Sequence, residues 1–99
     1  MLNITKKVED KVVTFMLDGR LDTVTAPQLE KAIKEEINGV VSLIFDFEKL
    51  EYISSAGLRV LLSAQKVMNA QGQMKILHVN RDVMDIFEMT GFSEVLSIE

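Results

Sequence analysis

Two adjacent serines, Ser54 and Ser55, stand before a small Ala56-Gly57 pair, with Leu58-Arg59 following. A serine in such a stretch can be a nucleophile, a helix cap or a phosphoryl acceptor. Nucleophilic work needs a base, and the chain holds one histidine, His78. His78 alternates with Ile76 in a run that predicts a strand, where a structural histidine is expected. The run Ile53-Ser54-Ser55-Ala56-Gly57 also lacks the first glycine of a G-x-S-x-G nucleophile elbow. Neither a P-loop nor G-x-G-x-x-G occurs. With no cysteine and a single histidine, no zinc or other metal site is expected. Asp22 and Asp46 could form a carboxylate pair, although loop aspartates commonly serve turns and caps. The residues therefore point away from an enzyme and toward a binding protein without a cofactor.

Cap and acceptor remain. Ser54 is placed to cap a helix whose first turn is Ser55-Ala56-Gly57. That explains one serine; it does not explain two followed by residues small enough to leave the corner open. A phosphate on Ser55 would meet the free N–H groups and positive dipole end of a helix start. It would add about −1.5 to −2 charges to an edge already carrying Asp22, Glu48 and Glu51. Such a group would suit the fold and alter what docks there. From the residues alone, both readings stay open.

The elements that must hold this corner follow from the rest of the chain. Its 99 residues, 47% hydrophobic and 26% charged, are expected to form one soluble domain over residues 1–99. The net charge of −4 argues against nucleic acid or an anionic membrane as partner. The N-terminus lacks an apolar signal core, and no apolar run approaches the ~20 residues of a membrane span. A cytoplasmic protein is expected.

Leu2, Ile4 and Val8 alternate with polar residues, predicting a strand. Glu9-Asp10 turns into a second, antiparallel strand over Val12–Leu17. After a loop from Asp18 to Thr25, Thr25 is the expected N-cap of a first helix. Gln28 would complete a capping box, and Val24 and Leu29 a hydrophobic staple. Leu29, Ala32, Ile33 and Ile37 form its inward stripe. Val40–Phe47 predicts a central strand, followed by a loop from Asp46 to Ser55. The second helix spans Ser55–Gln71, with Gly57, Val60, Leu61, Ala64, Val67 and Met68 facing inward. Met74–Val79 predicts a fourth strand, and Asn80 caps a third helix that ends at Thr90-Gly91-Phe92 in the Schellman pattern. Val95–Ile98 could add a short fifth strand. The order ββαβαβα predicts an α/β fold with a mixed four- to five-stranded sheet, parallel from the second strand on. Right-handed crossovers give sheet order 1-2-3-4. Function in such sheets collects beyond the carboxyl ends of the parallel strands, which would bring Asp22, Asp46, Ser54 and Ser55 to one edge. Val40 and Ile44 leave the second sheet face apolar, to be covered by the termini, by a partner or by weak homodimerisation.

The stretch from Asp46 to Leu62, above all Tyr-Ile-Ser-Ser-Ala-Gly-Leu-Arg-Val-Leu-Leu at 52 to 62, resembles the signature of the STAS domain, the fold of bacterial anti-sigma factor antagonists. Gly19-Arg20-Leu21-Asp22 and Thr25-Ala26-Pro27-Gln28-Leu29 resemble that family's first functional loop and first helix. The resemblance implies a serine phosphorylated by an anti-sigma factor that is itself a serine kinase. The unphosphorylated form would bind this partner and free a sigma factor; a serine phosphatase would reverse the modification. By position Ser55 is the acceptor, with Ser54 as the alternative. Asp22, Thr23, Asp46, Ser54, Gly57, Leu58 and Arg59 are then the partner-binding residues. Ser54 stands where the family often has Asp, Ala56 where it often has Ser or Thr, and Arg59 where it often has Gly. Other STAS domains serve in lipid or anion transport machines or in stress-signalling scaffolds, so constitutive binding in such a complex is the alternative.

Overall fold

Alternation in the strands and 3.6-residue periodicity in the helices assemble one layer of sheet under one layer of helix. The computed structural model describes all residues, 1–99. Its elements are β1 (Leu2–Glu9), β2 (Val12–Leu21), α1 (Ala26–Glu36), β3 (Ser42–Ile53), α2 (Ser55–Gln71), β4 (Gln73–Leu77) and α3 (Arg81–Thr90). The sheet order is β1-β2-β3-β4, with β1 antiparallel and the later pairs parallel, as the sequence predicts. Val95–Ile98 supplies only an isolated bridge from Ile98 to Ile76 on the β4 edge.

Alternate residues Val13, Phe15 and Leu17 of β2 and Leu43, Phe45 and Phe47 of β3 are buried against the helices. Phe15, Phe45, Phe47 and Phe87 form a continuous aromatic row, with successive ring centroids 5.8, 6.3 and 6.3 Å apart. Phe87 belongs to α3, so the row fixes this helix to the central strand. Each such pair adds roughly 0.5–1.5 kcal/mol beyond the area it buries. The opposite face, with Met16 exposed and Ile44 and Asp46 half-buried, carries no helix. The C-terminus runs along the β4 edge and leaves that face open.

Several expectations need correction. β2 continues to Leu21 and β3 to Ile53, so the long loops expected at 18–25 and 46–55 shrink to a turn and a single residue. Charged Glu48, Lys49 and Glu51 disguised the strand because they occupy its exposed side. Two register shifts, between Met16 and Asp18 and between Gly19 and Arg20, let β3 carry extra residues there. The start of β3 at Ser42 leaves Val41 exposed. Val67 is also exposed rather than inward. Val24 is 85% exposed, so the predicted staple is absent. β4 ends at Leu77, and His78 lies beyond it at φ +58° instead of sharing a face with buried Ile76. The third helix ends as expected: Gly91 adopts φ +82°, and its N–H reaches the Glu88 carbonyl.

Phe45 touches its aromatic neighbours on both sides and is fully buried. Phe45→Ala is expected to destabilise the fold by about 3–5 kcal/mol, read as a lowered urea midpoint with an unchanged slope.

Candidate functional site

The corner between β3 and α2 is built by backbone first. The Ser54 N–H donates to the Leu21 carbonyl at 2.8 Å, joining the ends of β2 and β3 just where α2 departs. Ser54 is extended (φ −101°, ψ 176°), and its hydroxyl accepts the Gly57 N–H at 3.5 Å. The first intrahelical bond runs from Leu58 N–H to the Ser54 carbonyl at 3.0 Å. Ser54 is thus the N-cap, and Ser55 is the first helical residue, exposed to solvent.

Gly57 is buried where α2 crosses the strand ends. A Cβ there would lie 2.7 Å from Leu21 Cγ and 2.9 Å from Ile53 Cγ1, so a side chain would push the helix start outward. Leu58 is buried in the core as well. Gly57 and Leu58, expected to meet a partner directly, instead anchor the helix from beneath.

Opposite this corner, Asp22 closes a tight turn. Its carboxylate accepts the N–H groups of Val24 and Thr25, each at 3.0 Å. Its own carbonyl accepts the Ala26 N–H at 2.8 Å. The Thr25 N–H, opposed by partial burial and helped by the Thr25 hydroxyl and the Val24 N–H, holds the Asp22 carboxyl below its ordinary pKa. Asp22 is therefore ionised and engaged with its own backbone. It has displaced Thr25 from the expected capping role: the buried Thr25 hydroxyl donates to the Arg20 carbonyl at 2.8 Å and accepts the Asp22 N–H at 2.9 Å. Gln28 donates to the Leu2 carbonyl at 3.1 Å instead of completing a capping box. Thr23 is exposed at the tip of the turn. It shares a groove between α1 and α2 with Pro27, Glu30, Ala56, Arg59 and Ser63.

Asp46 does not join this group. It lies within β3, paired with Met16 and Leu77, on the open sheet face. Seven residue steps of strand separate it from Ile53, roughly 20 Å at about 3.3 Å per step. Its Oδ1 meets His78 Nδ1 at 2.9 Å and accepts the Glu48 N–H at 3.0 Å. Burial raises the Asp46 pKa, but the His78 hydrogen bond, the Glu48 N–H and the imidazole charge outweigh it, and the net shift is downward. The same hydrogen bond, then the carboxylate charge, raises the pKa of His78. His78 is accordingly an ion-pair partner of Asp46 in the interior of β3, with no access to Ser54 or Ser55 as a base. Asp46, Glu48 and His78 also place ligand atoms within 4.8 Å of one another, a spacing open to a divalent cation. The Asp46–His78 bond accounts for the cluster without one. One feature of the corner was not foreseen: the Arg20 guanidinium lies 4.3 Å from the Tyr52 ring centroid, on the rung beside Leu21 and Ile53. Only the strand register reveals it.

A mixed sheet, parallel from β2 to β4, with one helical layer and a serine pair at the start of its second helix defines a class. A family model for the STAS domain matches residues 3–99, and the chain belongs to that family. It is 30% identical to a putative anti-sigma factor antagonist, BtrV, of Bordetella bronchiseptica, over 98% of this chain and 85% of that one. A crystal structure of an anti-sigma factor antagonist from Mycobacterium paratuberculosis superposes with a TM-score of 0.89 at 21% identity, covering 99% of this chain and 85% of that one. The Bacillus cell fate determinant SpoIIAA, solved in its phosphorylated form, gives a TM-score of 0.76 at 21% identity, covering 98% and 91%. No helix is long and apolar enough to cross a membrane.

Ser54→Ala removes the cap and is expected to cost about 0.5–1 kcal/mol, the lower part of the usual range because the bond is long; thermal unfolding measures it. The Asp46–His78 pair has a directional pH signature. His78 has a raised folded pKa, so its contribution is complete below its ordinary value of 6.5 and is lost as pH rises through the folded value. Asp46 has a lowered folded pKa, so its contribution is present above its ordinary 3.8 and is lost as pH falls through the folded value. The urea-midpoint gap between the parent and His78→Gln should be widest near pH ~5–6 and narrow by pH ~9. A gap that widens at high pH would contradict the assignment.

Proposed function

We propose that this chain is a phosphorylation-switched antagonist of an anti-sigma factor, acting by binding and without catalysis of its own. The unphosphorylated form binds a cytoplasmic anti-sigma factor that is also a serine kinase, and so releases a sigma factor. Phosphorylation of Ser55 breaks the complex, and a serine phosphatase restores it. ATP and Mg²⁺ belong to the kinase.

One observation carries this reading: Ser54 is occupied as the cap, while Ser55, one residue on, is exposed at the head of α2. Division of labour between the serines leaves Ser55 as the hydroxyl a kinase can reach without dismantling a helix end. Similarity to BtrV and to phosphorylated SpoIIAA supports the same role. The docking surface comprises the Asp22–Thr25 turn, with Thr23 at its tip, the exposed start of α2, and Arg59. An ionised Asp22 beside the corner means that a phosphoryl group would add to negative charge already present.

Incubation with the cognate kinase and ATP, followed by mass spectrometry, is expected to place one phosphate on Ser55. Ser55→Ala should abolish it while preserving partner binding, and phosphorylation should weaken binding at least tenfold. Phosphate on Ser54 would reassign the acceptor. No phosphate on either serine, or undiminished binding after modification, would favour a constitutive STAS subunit and end the switch reading.

A further inference from the structure

Arg59 lies four residues after Ser55 on the same exposed strip of α2. Residues so spaced are neighbours on a helix surface. Helical side chains lean toward the N-terminus, so a long side chain at position 59 extends back over position 55. Arg59 forms none of the ion pairs in the structure, whereas Lys6, Lys7, Lys34, Lys75 and Arg81 each engage a carboxylate. Glu30, which lines the same groove, pairs with Lys34 at 3.8 Å, and the Asp22 carboxylate is held by its own turn. The intervening residues do not obstruct, because Ala56 is small and Gly57 and Leu58 point into the core.

We infer that Arg59 is a built-in phosphate clasp, binding the phosphoryl group of Ser55 along one turn of α2. The inference rests on Ser55 being the modified residue. A guanidinium presents paired N–H donors that match phosphate oxygens, and an anion placed N-terminal to a cation at this spacing is the favourable order. Arg59 also lines the α1–α2 groove, so it is free for a partner's carboxylate in the unmodified chain and is withdrawn once phosphate occupies it. Modification then adds negative charge and removes a positive contact in the same event.

The test uses the full chain with phosphoserine genetically encoded at position 55, so no kinase is required. Phosphorus NMR titrates the second phosphate ionisation in the parent and in variants. Arg59→Gln is expected to raise that pKa by about 0.2–0.4 unit, and Arg59→Lys to restore part of the difference. Lys66→Gln removes the same charge about three turns along α2 from Ser55 and should leave the value unchanged. Backbone amide spectra establish that each variant is folded. Equal pKa values in the parent and Arg59→Gln, or an equal rise with Lys66→Gln, would overturn the clasp. A kinase that ignores Ser55 would end the proposed function but leave this measurement standing.

Discussion

The approach of Gly57 to Leu21 and Ile53 governs the geometry of the whole functional end. Two parallel strands finish on one rung, the Ser54 N–H closes that rung onto the Leu21 carbonyl, and α2 must leave immediately. A helix starting so close to the sheet can fit only if its inner surface is flat at the third residue, which is what the missing side chain provides. Leu58 then enters the core directly and fixes the rotation of the helix. With Gly57 and Leu58 turned inward, Ser55 and Arg59 have no orientation left except outward. The exposed residues are thus set by the buried ones.

This dependence explains what was legible in the sequence. The order of elements, the sheet order, the Ser54 cap and the Gly91 terminator could be read because each rests on local pattern. The extent of β2 and β3 could not. Glu48, Lys49 and Glu51 resemble loop residues, and only paired bulges make room for them in the strand. That misreading moved Asp46 from mid-strand to the serine edge, a displacement of most of the strand's length. The first helix shows a second limit. Asp22 and Thr25 both carry side chains able to cap, and the choice was made by tertiary contact: Thr25 is buried against the Arg20 carbonyl, leaving Asp22 to hold the turn. His78 could be recognised as structural, but its partner depends on where β4 stops.

The two faces of the sheet divide the work. One is filled by helices and the aromatic row, and supplies the rigidity on which the corner rests. The other carries Asp46, Glu48 and His78 in the open, joined by bonds that cross from β3 to the end of β4.

A serine held on a rigid helix end, rather than on a flexible loop, has a spatial consequence. Charge placed on it is expressed as surface potential with little movement of the backbone, and ions in the surrounding medium limit how far that potential extends. At physiological salt the decay length is about 8 Å. The Asp22–Thr25 turn and the head of the α1–α2 groove border the corner and share its field. The Asp46–His78 pair, roughly 20 Å along the strand, lies beyond it. A change of charge at Ser55 is therefore felt at the turn and the groove head and fades before it reaches the Asp46–His78 pair.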